Sequence, residues 1–229
     1  MKNIIRRIGL HGRKFLKIVR YVKMFRFKDA GKRFEYIYRN NLWDEQESAS
    51  GEGSTLSYTE NIRGHLPEIF KKFRISSVLD APCGDFNWMQ HVLKECDGIS
   101  YTGGDIVDVL IQENNRKYAT SNISFITIDI TKDLLPDADL IIVRDCLFHL
   151  SYSDISLFLT NLSKSNIKYI LTTSHVKKDN SNIVTGHFRE INLFTKPFSW
   201  CKEFLYEIEE DERSMYLFKC DQLPSKVNY

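Results

Sequence analysis

The 229-residue chain has only five cysteines, and none of them form a CxxC pair. One must stay unpaired, so we predict free thiols in a reducing cytoplasm and no disulfide framework. Cysteine and histidine do not cluster at zinc-binding spacings, and we expect no metal site. No apolar run approaches the roughly 18 residues of a transmembrane helix. Bases such as Arg13 and Lys17 interrupt the apolar stretch that a secretory signal would need.

The chain also lacks internal repeats and low-complexity tracts. Its 42% of hydrophobic and 27% of charged residues exclude a wholly disordered chain and a collagen-like repeat. The net charge of +2 averages two unequal parts. Residues 1–39 carry 13 Lys and Arg against two acids, and the other residues carry 19 bases and 28 acids. We therefore predict a basic N-terminal extension on an acidic body.

The extension is assigned to residues 1–43. Residues 3–28 place apolar side chains at the spacings of an amphipathic helix, with bases on the other face. Three roles stay open for it. It packs on the rest of the chain, or residues 1–28 attach peripherally to anionic lipid at the inner face of the membrane, or it binds nucleic acid. The third role is the least favoured because the body is acidic and no nucleic-acid-binding module is present.

Residues 44–56 are rich in serine, glycine and acids, and we predict a loop or lid there. Ser57 and Glu60 match a capping box for a helix that reaches about Phe73. The main domain is assigned to residues 57–221, and residues 222–229 form a tail.

From residue 77 onward, apolar strands alternate with helical segments. The run 140–143 is apolar throughout, which is typical of a parallel sheet covered on both faces. Segments 204–209 and 214–220 predict a C-terminal antiparallel hairpin. The pattern predicts an α/β fold with a doubly wound, mostly parallel sheet, with strands at 77–80, 99–105, 123–129, 139–144 and 168–173 and helices at about 87–94, 107–118 and 153–163.

Acidic residues end the first three predicted strands: Asp80, Asp105 and Asp129. Ligands of open α/β sheets bind outside the carboxyl ends of the strands. Asp105 is placed to accept the hydroxyl groups of a ribose, and Asp129 either accepts from an exocyclic amine or caps a helix. Three acids favour a cationic nucleoside over a dinucleotide, whose pyrophosphate prefers glycines and bare helix N–H groups.

These segments resemble the class I S-adenosylmethionine-dependent methyltransferases over about residues 54–220. The resemblance implies a Rossmann-like, seven-stranded sheet, S-adenosylmethionine as the cofactor and methyl transfer as the reaction. The matching segments are Val78–Gly84, Gly104–Asp105, Ile128–Asp129 and Asp139–Leu150.

A narrower resemblance joins Glu47–Thr55 to Asp80–Met89. Together they are similar to a bacterial subgroup encoded among surface-polysaccharide genes. This implies O-methylation of a saccharide or of its nucleotide-sugar precursor. Two alternatives stay open: an RNA methyltransferase, indicated by the basic extension, and a noncatalytic cofactor-binding protein of the same fold.

The loop after the first strand departs from the family's pattern. Pro82 and Phe86 stand where the family has glycines, which leaves Gly84 to let the backbone approach the ligand. We therefore expect this loop to hold the methionyl part of the cofactor differently. The residues predicted to bind cofactor lie near the strand ends: Asp80, Ala81, Pro82, Cys83, Gly84, Trp88, Asp105, Ile106, Asp129, Ile130 and Arg144.

His149 is predicted to be the general base that takes a proton from the acceptor hydroxyl, with a packing role as the alternative. It follows Asp145 by four residues, so on one helical turn the two would share a face. Asp145, also assigned to catalysis, then either orients the imidazole or contacts the substrate. His175, His187 and Arg189 are predicted to bind substrate, and surface ion pairs are the alternative.

Overall fold

A computed structural model describes residues 19, 21–176, 179–210 and 212–227. Most of the amphipathic stripe predicted for residues 3–28 therefore lies outside the described residues. Residues 21–24 are helical, and the chain leaves the helix over residues 25–28. Within the described part, no helix has the length and apolar character needed to cross a membrane.

Helices alternate with strands from residue 60 to residue 175, except that the strand at 123–127 is followed directly by the strand at 140–143, and a hairpin follows. The helices are α1 (Ala30–Arg39), α2 (Glu60–Lys72), α3 (Met89–Lys94), α4 (Asp108–Tyr118) and α5 (Tyr152–Leu162). The strands are β1 (Ser77–Asp80), β2 (Ser100–Asp105), β3 (Ile123–Thr127), β4 (Leu140–Val143), β5 (Tyr169–His175), β6 (Tyr206–Glu209) and β7 (Arg213–Lys219).

The strands form one sheet in the order β3-β2-β1-β4-β5-β7-β6. Strands β1 to β5 pair in parallel, and β7 is antiparallel to both β5 and β6. Strand order reverses between β1 and β4, which opens a crevice at their carboxyl ends. The predicted Rossmann-like fold class, with its mostly parallel sheet and C-terminal hairpin, is confirmed.

The core lies on both faces of the sheet. All four residues of β4 are fully buried, and alternate residues belong to different apolar clusters: Leu140 and Ile142 to one, Ile141 and Val143 to the other. Each such side chain stabilises the fold by about 1.5–3 kcal/mol. Because both faces of β4 are packed, the position of its carboxyl end in the sheet is fixed. The residues that follow β4 are positioned by this end.

The start of α2 differs from the prediction. Ser57 is not its N-cap, because a turn begins before it, at Thr55. The Thr55 carbonyl accepts from the Thr59 backbone N–H at 3.0 Å and from the Thr59 hydroxyl at 2.8 Å. Thr59 is the N-cap residue, and the helix begins at Glu60. The predicted capping box is therefore wrong.

Residues 21–43, hereafter the N-terminal cap, pack against the main domain. Asp29 caps α1 by accepting from Lys32 N at 2.9 Å. The Arg33 guanidinium donates to the Thr185 carbonyl at 2.8 Å, far along the chain. These described residues thus contact the rest of the chain, and lipid attachment through residues 1–28 stays a prediction.

Candidate active site

A cavity of about 450 Å³ opens at the carboxyl ends of β1, β2 and β4. All the residues predicted to bind cofactor line it, from Asp80 to Arg144, and so do Asp145 and His149. The N-terminal cap supplies another wall, with Phe34, Tyr38 and Trp43. The volume lies within the usual range for small-molecule sites, about 300–1,000 Å³.

Asp80 ends β1 and is almost fully buried. The Tyr101 hydroxyl donates to its Oδ2 atom at 2.8 Å. Burial nevertheless raises the pKa of Asp80 to about 7, because one hydroxyl does not replace the water that the carboxylate loses. A cation bound in the cavity would stabilise the ionised form.

Asp105 ends β2 and accepts two backbone N–H groups, from Gly84 at 3.2 Å and from Val107 at 3.0 Å. Burial raises the pKa of Asp105 to about 6, and these hydrogen bonds oppose the shift. Each carboxylate oxygen keeps acceptor capacity. The side chain is thus held in place and can accept two hydroxyl groups of a ligand.

Asp129 lies two residues beyond the end of β3, which stops at Thr127 rather than at Asp129. Its carboxylate accepts from Thr131 Oγ1 at 2.6 Å and pairs with Lys132 at 2.7 Å. Burial alone would raise the pKa of Asp129, but the bonds from Lys132 and Thr131 outweigh it and lower that pKa. Asp129 therefore closes a turn, as in the capping alternative, while also lining the cavity.

The loop after β1 has two positions with a left-handed backbone, and one of them is not glycine. Phe86 adopts a φ of +60°, and its ring is buried near Tyr101 and Phe125, with centroids 5.2 and 5.0 Å away. Gly84 has a φ of +55°, and a β-carbon there would lie 2.2 Å from Ser50 Oγ. Aromatic packing thus stabilises the left-handed conformation of Phe86. At Gly84, the close approach of another segment requires glycine.

That segment is residues 44–56, hereafter the closing loop. The Asp85 carboxylate accepts from Ser48 Oγ at 2.9 Å, from Ala49 N at 2.7 Å and from Ser50 Oγ at 3.3 Å. Ser50 Oγ in turn accepts from Asp85 N at 2.9 Å. The loop predicted as a lid is therefore fastened to the loop after β1, next to Gly84.

Arg144 follows β4 and is buried to 6% exposure. Its Nη1 atom donates to the Gly53 carbonyl at 2.6 Å and lies 3.1 Å from Asp145 Oδ2. Among the described residues, its Nε and Nη2 atoms have no hydrogen-bond partner. A buried guanidinium with two unused donors fits an anionic ligand group such as a carboxylate.

Asp145 has a φ of +53°, so it does not share a helical turn with His149 as predicted. The short 3₁₀ turn that contains His149 begins at Leu147. Asp145 pairs with Arg213 at 2.7 Å and accepts from the Thr173 hydroxyl at 3.1 Å. These contacts engage its carboxylate with Arg213 and Thr173 rather than with the imidazole, so contact with the substrate is the alternative that stays open for Asp145.

His149 is oriented instead by a backbone carbonyl. Its Nδ1 atom lies 2.8 Å from His187 O. A carbonyl oxygen only accepts, so Nδ1 carries the proton and Nε2 keeps its lone pair. Burial lowers the pKa of His149, and the bond to His187 and the charge of Asp145 oppose that shift. The imidazole is therefore neutral near pH 7, as a general base must be.

Three predicted substrate residues are not part of the cavity lining. His175 accepts from Ile191 N at 3.3 Å, His187 stacks on Phe25 at a centroid distance of 4.1 Å, and Arg189 donates to Leu147 O at 3.2 Å. Each contacts the framework around His149. The structure therefore places them in support of the cavity rather than on its surface.

Several residues that line the cavity were not predicted from the sequence. Arg213 and Phe188 carry no local motif. Ser50 and Gly53 belong to the closing loop, which Asp85 and Arg144 hold beside the cavity. The sequence held one signal for the closing loop: segments 47–55 and 80–89 share the narrower resemblance, and in the structure they contact each other.

Comparisons with solved structures bear on the fold. The human N-acetylserotonin methyltransferase in complex with S-adenosylmethionine matches with a TM-score of 0.62 and 16% identity, over 87% of this chain and 61% of that one. The fold is that of S-adenosylmethionine-dependent methyltransferases. This chain thus spans less than two thirds of that enzyme's length.

Other structures with this fold match at similar levels. The magnesium protoporphyrin IX methyltransferase of Synechocystis PCC 6803, with bound S-adenosylhomocysteine, matches with a TM-score of 0.54 and 11% identity, over 80% of this chain and 92% of that one. The pyocyanin biosynthetic protein PhzM matches with a TM-score of 0.56 and 12% identity, over 87% and 61% of the two chains. No family's sequence profile and no curated protein sequence matches this chain.

Proposed function

We propose that this protein is an S-adenosylmethionine-dependent methyltransferase that methylates a hydroxyl oxygen. The observation that carries the proposal is the 2.8 Å contact between His149 Nδ1 and His187 O, which leaves Nε2 to accept a proton in the same cavity as the carboxylates of Asp80, Asp105 and Asp129. This arrangement joins a binding site for a cationic nucleoside to a group able to accept a proton.

The residues of the cavity fit the cofactor. The carboxylate of Asp105 suits the ribose hydroxyls, and the apolar side chains of Ile106 and Ile130 suit the faces of the adenine. The unused donors of Arg144 suit the methionyl carboxylate, and Asp80 suits the nearby positive charge. When bound, the cofactor supplies an electrophilic methyl group on a sulfonium sulfur.

The chain's own residues then have two tasks. They align the acceptor oxygen with the methyl group, and they remove the proton that this oxygen carries. His149 takes that proton at Nε2, because Nδ1 is already engaged by His187 O. Asp145, fixed by Arg213 and Thr173, contributes a negative charge that stabilises the resulting imidazolium.

We further propose a saccharide or its nucleotide-linked precursor as the acceptor. The acceptor side of the cavity combines aromatic rings with carboxylates, and sugars are bound by stacking on aromatic faces and by hydrogen bonds from their hydroxyls. Trp43 and Phe188 lie 6.2 and 6.0 Å from the His149 ring. Glu52 and Asp154 also line the cavity. Because the fold hosts varied acceptors, this proposal rests on the site.

The test is a screen of nucleotide sugars and capsular oligosaccharides for transfer of a labelled methyl group, with phenols and RNA as comparison acceptors. We expect label in a saccharide, and transfer about 10²–10⁴-fold slower with His149→Ala. Label in RNA or in a phenol instead would overturn the acceptor. Cofactor binding without transfer to any acceptor would favour a noncatalytic protein.

A further inference from the structure

The His187 carbonyl that orients His149 belongs to a short segment with little secondary structure of its own. Residues 184–189, hereafter the support segment, run beside the 3₁₀ turn Leu147–His149. Gly186 N donates to His149 O at 2.8 Å, and Arg189 N donates to Phe148 O at 3.1 Å. Together with the imidazole bond, these contacts tie the base to the support segment.

The support segment is itself held by the N-terminal cap. The Phe25 ring stacks on the His187 ring at 4.1 Å with an interplanar angle of 19°. Tyr21 lies edge-on to the same ring at 5.9 Å, and its hydroxyl donates to Gly186 O at 3.5 Å. Arg33 donates to Thr185 O at 2.8 Å. The side chain of His187 is thus held on one side by the cap while its carbonyl contacts His149.

We propose that Phe25 is a positioning residue for His149: by stacking on His187 it holds the carbonyl that selects the imidazole tautomer. This rests on the proposed function of His149 as the base. It makes the N-terminal cap, over 100 residues before His149 in sequence, a working part of the methyl-transfer site.

Other groups also face the imidazole. Asp145 lies on the chain after β4, Arg213 begins β7, and Arg189 ends the support segment; all three charges act on His149. Asp154 of α5 accepts from the Thr185 hydroxyl. None of these contacts depends on the Phe25 ring, so a Phe25 variant changes the carbonyl's position while leaving those charges in place.

The experiment follows the imidazole directly, by ¹⁵N NMR of the full chain labelled in histidine, and uses no acceptor. In the wild type we expect a protonated Nδ1 and an unprotonated Nε2 for His149. In Phe25→Ala the two nitrogens should move toward the averaged values of mixed tautomers. Phe25→Tyr, which keeps the stacked ring, should restore the wild-type pattern.

Phe27→Ala is the matched control. Phe27 is an aromatic residue of the same cap, and its ring contacts Tyr36 at 5.6 Å. It should leave the His149 nitrogens unchanged. An unchanged tautomer in Phe25→Ala, or an equal change in Phe27→Ala, would overturn the inference. If Phe25→Ala does not fold but Phe25→Tyr does, His187→Ala is used instead. This variant removes the other ring of the stacked pair, and it should give the same mixture of His149 tautomers.

Turnover separates this inference from the proposed function. With an active acceptor, Phe25→Ala should lower kcat by about 10- to 100-fold, the cost of a misplaced catalytic group, with cofactor KM unchanged. Unchanged turnover in His149→Ala would refute the base itself, whereas normal turnover in Phe25→Ala alone would refute the role of Phe25.

Discussion

The two walls of the cavity are held in different ways. The sheet wall is set by backbone bonds, such as Ala81 N to Ile142 O at 3.0 Å and Cys83 N to Gly104 O at 2.8 Å. The opposite wall, made of the N-terminal cap and the closing loop, depends on side chains such as Asp85, Arg144 and Arg33. A backbone hydrogen bond is kept when the side chain of its residue is substituted. A contact made by a side chain is lost when that side chain is substituted, so the second wall is more sensitive to sequence. Under the proposed function, the sheet wall binds the cofactor and the wall held by side chains helps to select the acceptor.

The largest effect on kcat is expected for His149, which lies where the two walls meet. His149→Ala should lower kcat by about 10²–10⁴-fold, the usual contribution of a general base, with cofactor affinity little changed. In the wild type, kcat should fall as the pH drops below the ordinary histidine pKa of 6.5, since burial lowers the pKa of His149. That acidic limb should be absent from the variant. A variant with near-normal kcat and the same limb would make His149 a packing residue.

The next prediction tests the sheet wall. Asp105→Ala should weaken cofactor binding by about 1.5–3 kcal/mol, because a charged acceptor of hydrogen bonds is lost. Asp108→Ala is the matched control: this acid begins α4, and its carboxylate accepts from Thr127 and Gln112 rather than lining the cavity. Calorimetric titration of both folded variants makes the comparison. Equal affinities would remove Asp105 from the cofactor site.

The third prediction tests the wall held by side chains. Asp85→Ala should release the closing loop and cost about 1–3 kcal/mol, since the buried Ser48 hydroxyl loses its acceptor. Limited proteolysis should then cut within residues 44–56 faster than in the wild type. Asp97→Ala, at an exposed acid before β2, is the control. Equal cleavage of the two variants would mean that other contacts hold the loop.

The smallest effect concerns the buried acid of the sheet wall. Burial raises the pKa of Asp80 to about 7 in the folded state, above its ordinary 3.8. Protonated Asp80 therefore stabilises the folded state at low pH. This contribution to the free energy of unfolding is lost as the pH rises from the ordinary pKa to the folded-state pKa of about 7. Without cofactor, the Tm of Asp80→Asn relative to the wild type should increase between about pH 4 and about pH 8.

Asp139→Asn supplies the control of opposite sign. Bonds from Lys168, Ser76 and Ser77 outweigh burial and hold the pKa of Asp139 below its ordinary range. Its contribution is present at neutral pH and lost in acid, so this variant should be less stable than the wild type near pH 7. Parallel pH dependences in the two variants would contradict the environment assigned to Asp80.

Much of the sheet wall could be predicted from the sequence. Apolar runs such as 140–143 indicated buried strands, and the rule that ligands bind at strand ends led to Asp80 and Asp105. Both signals are local. The strand boundaries were shifted by one or two residues because side-chain bonds, such as those of Asp129, decide where a turn begins.

The other wall could not be predicted because its bonds join distant residues. The acceptor for His149 is a backbone carbonyl, which carries no signature of residue type. The pairing of Asp145 with Arg213 spans 68 positions. Helix α1 did carry a signal, since Phe34 and Ile37 are three residues apart after an N-cap aspartate, but the amphipathic stripe of residues 3–28 predicted a helix earlier in the chain.

Calorimetry tests most directly whether the sheet wall binds S-adenosylmethionine. Titration of the wild-type protein with S-adenosylmethionine, S-adenosylhomocysteine and NAD should show binding of the first two and none of the third. Asp105→Ala should weaken both of those affinities. Absence of binding by S-adenosylmethionine and its demethylated product, or a preference for NAD, would contradict the account.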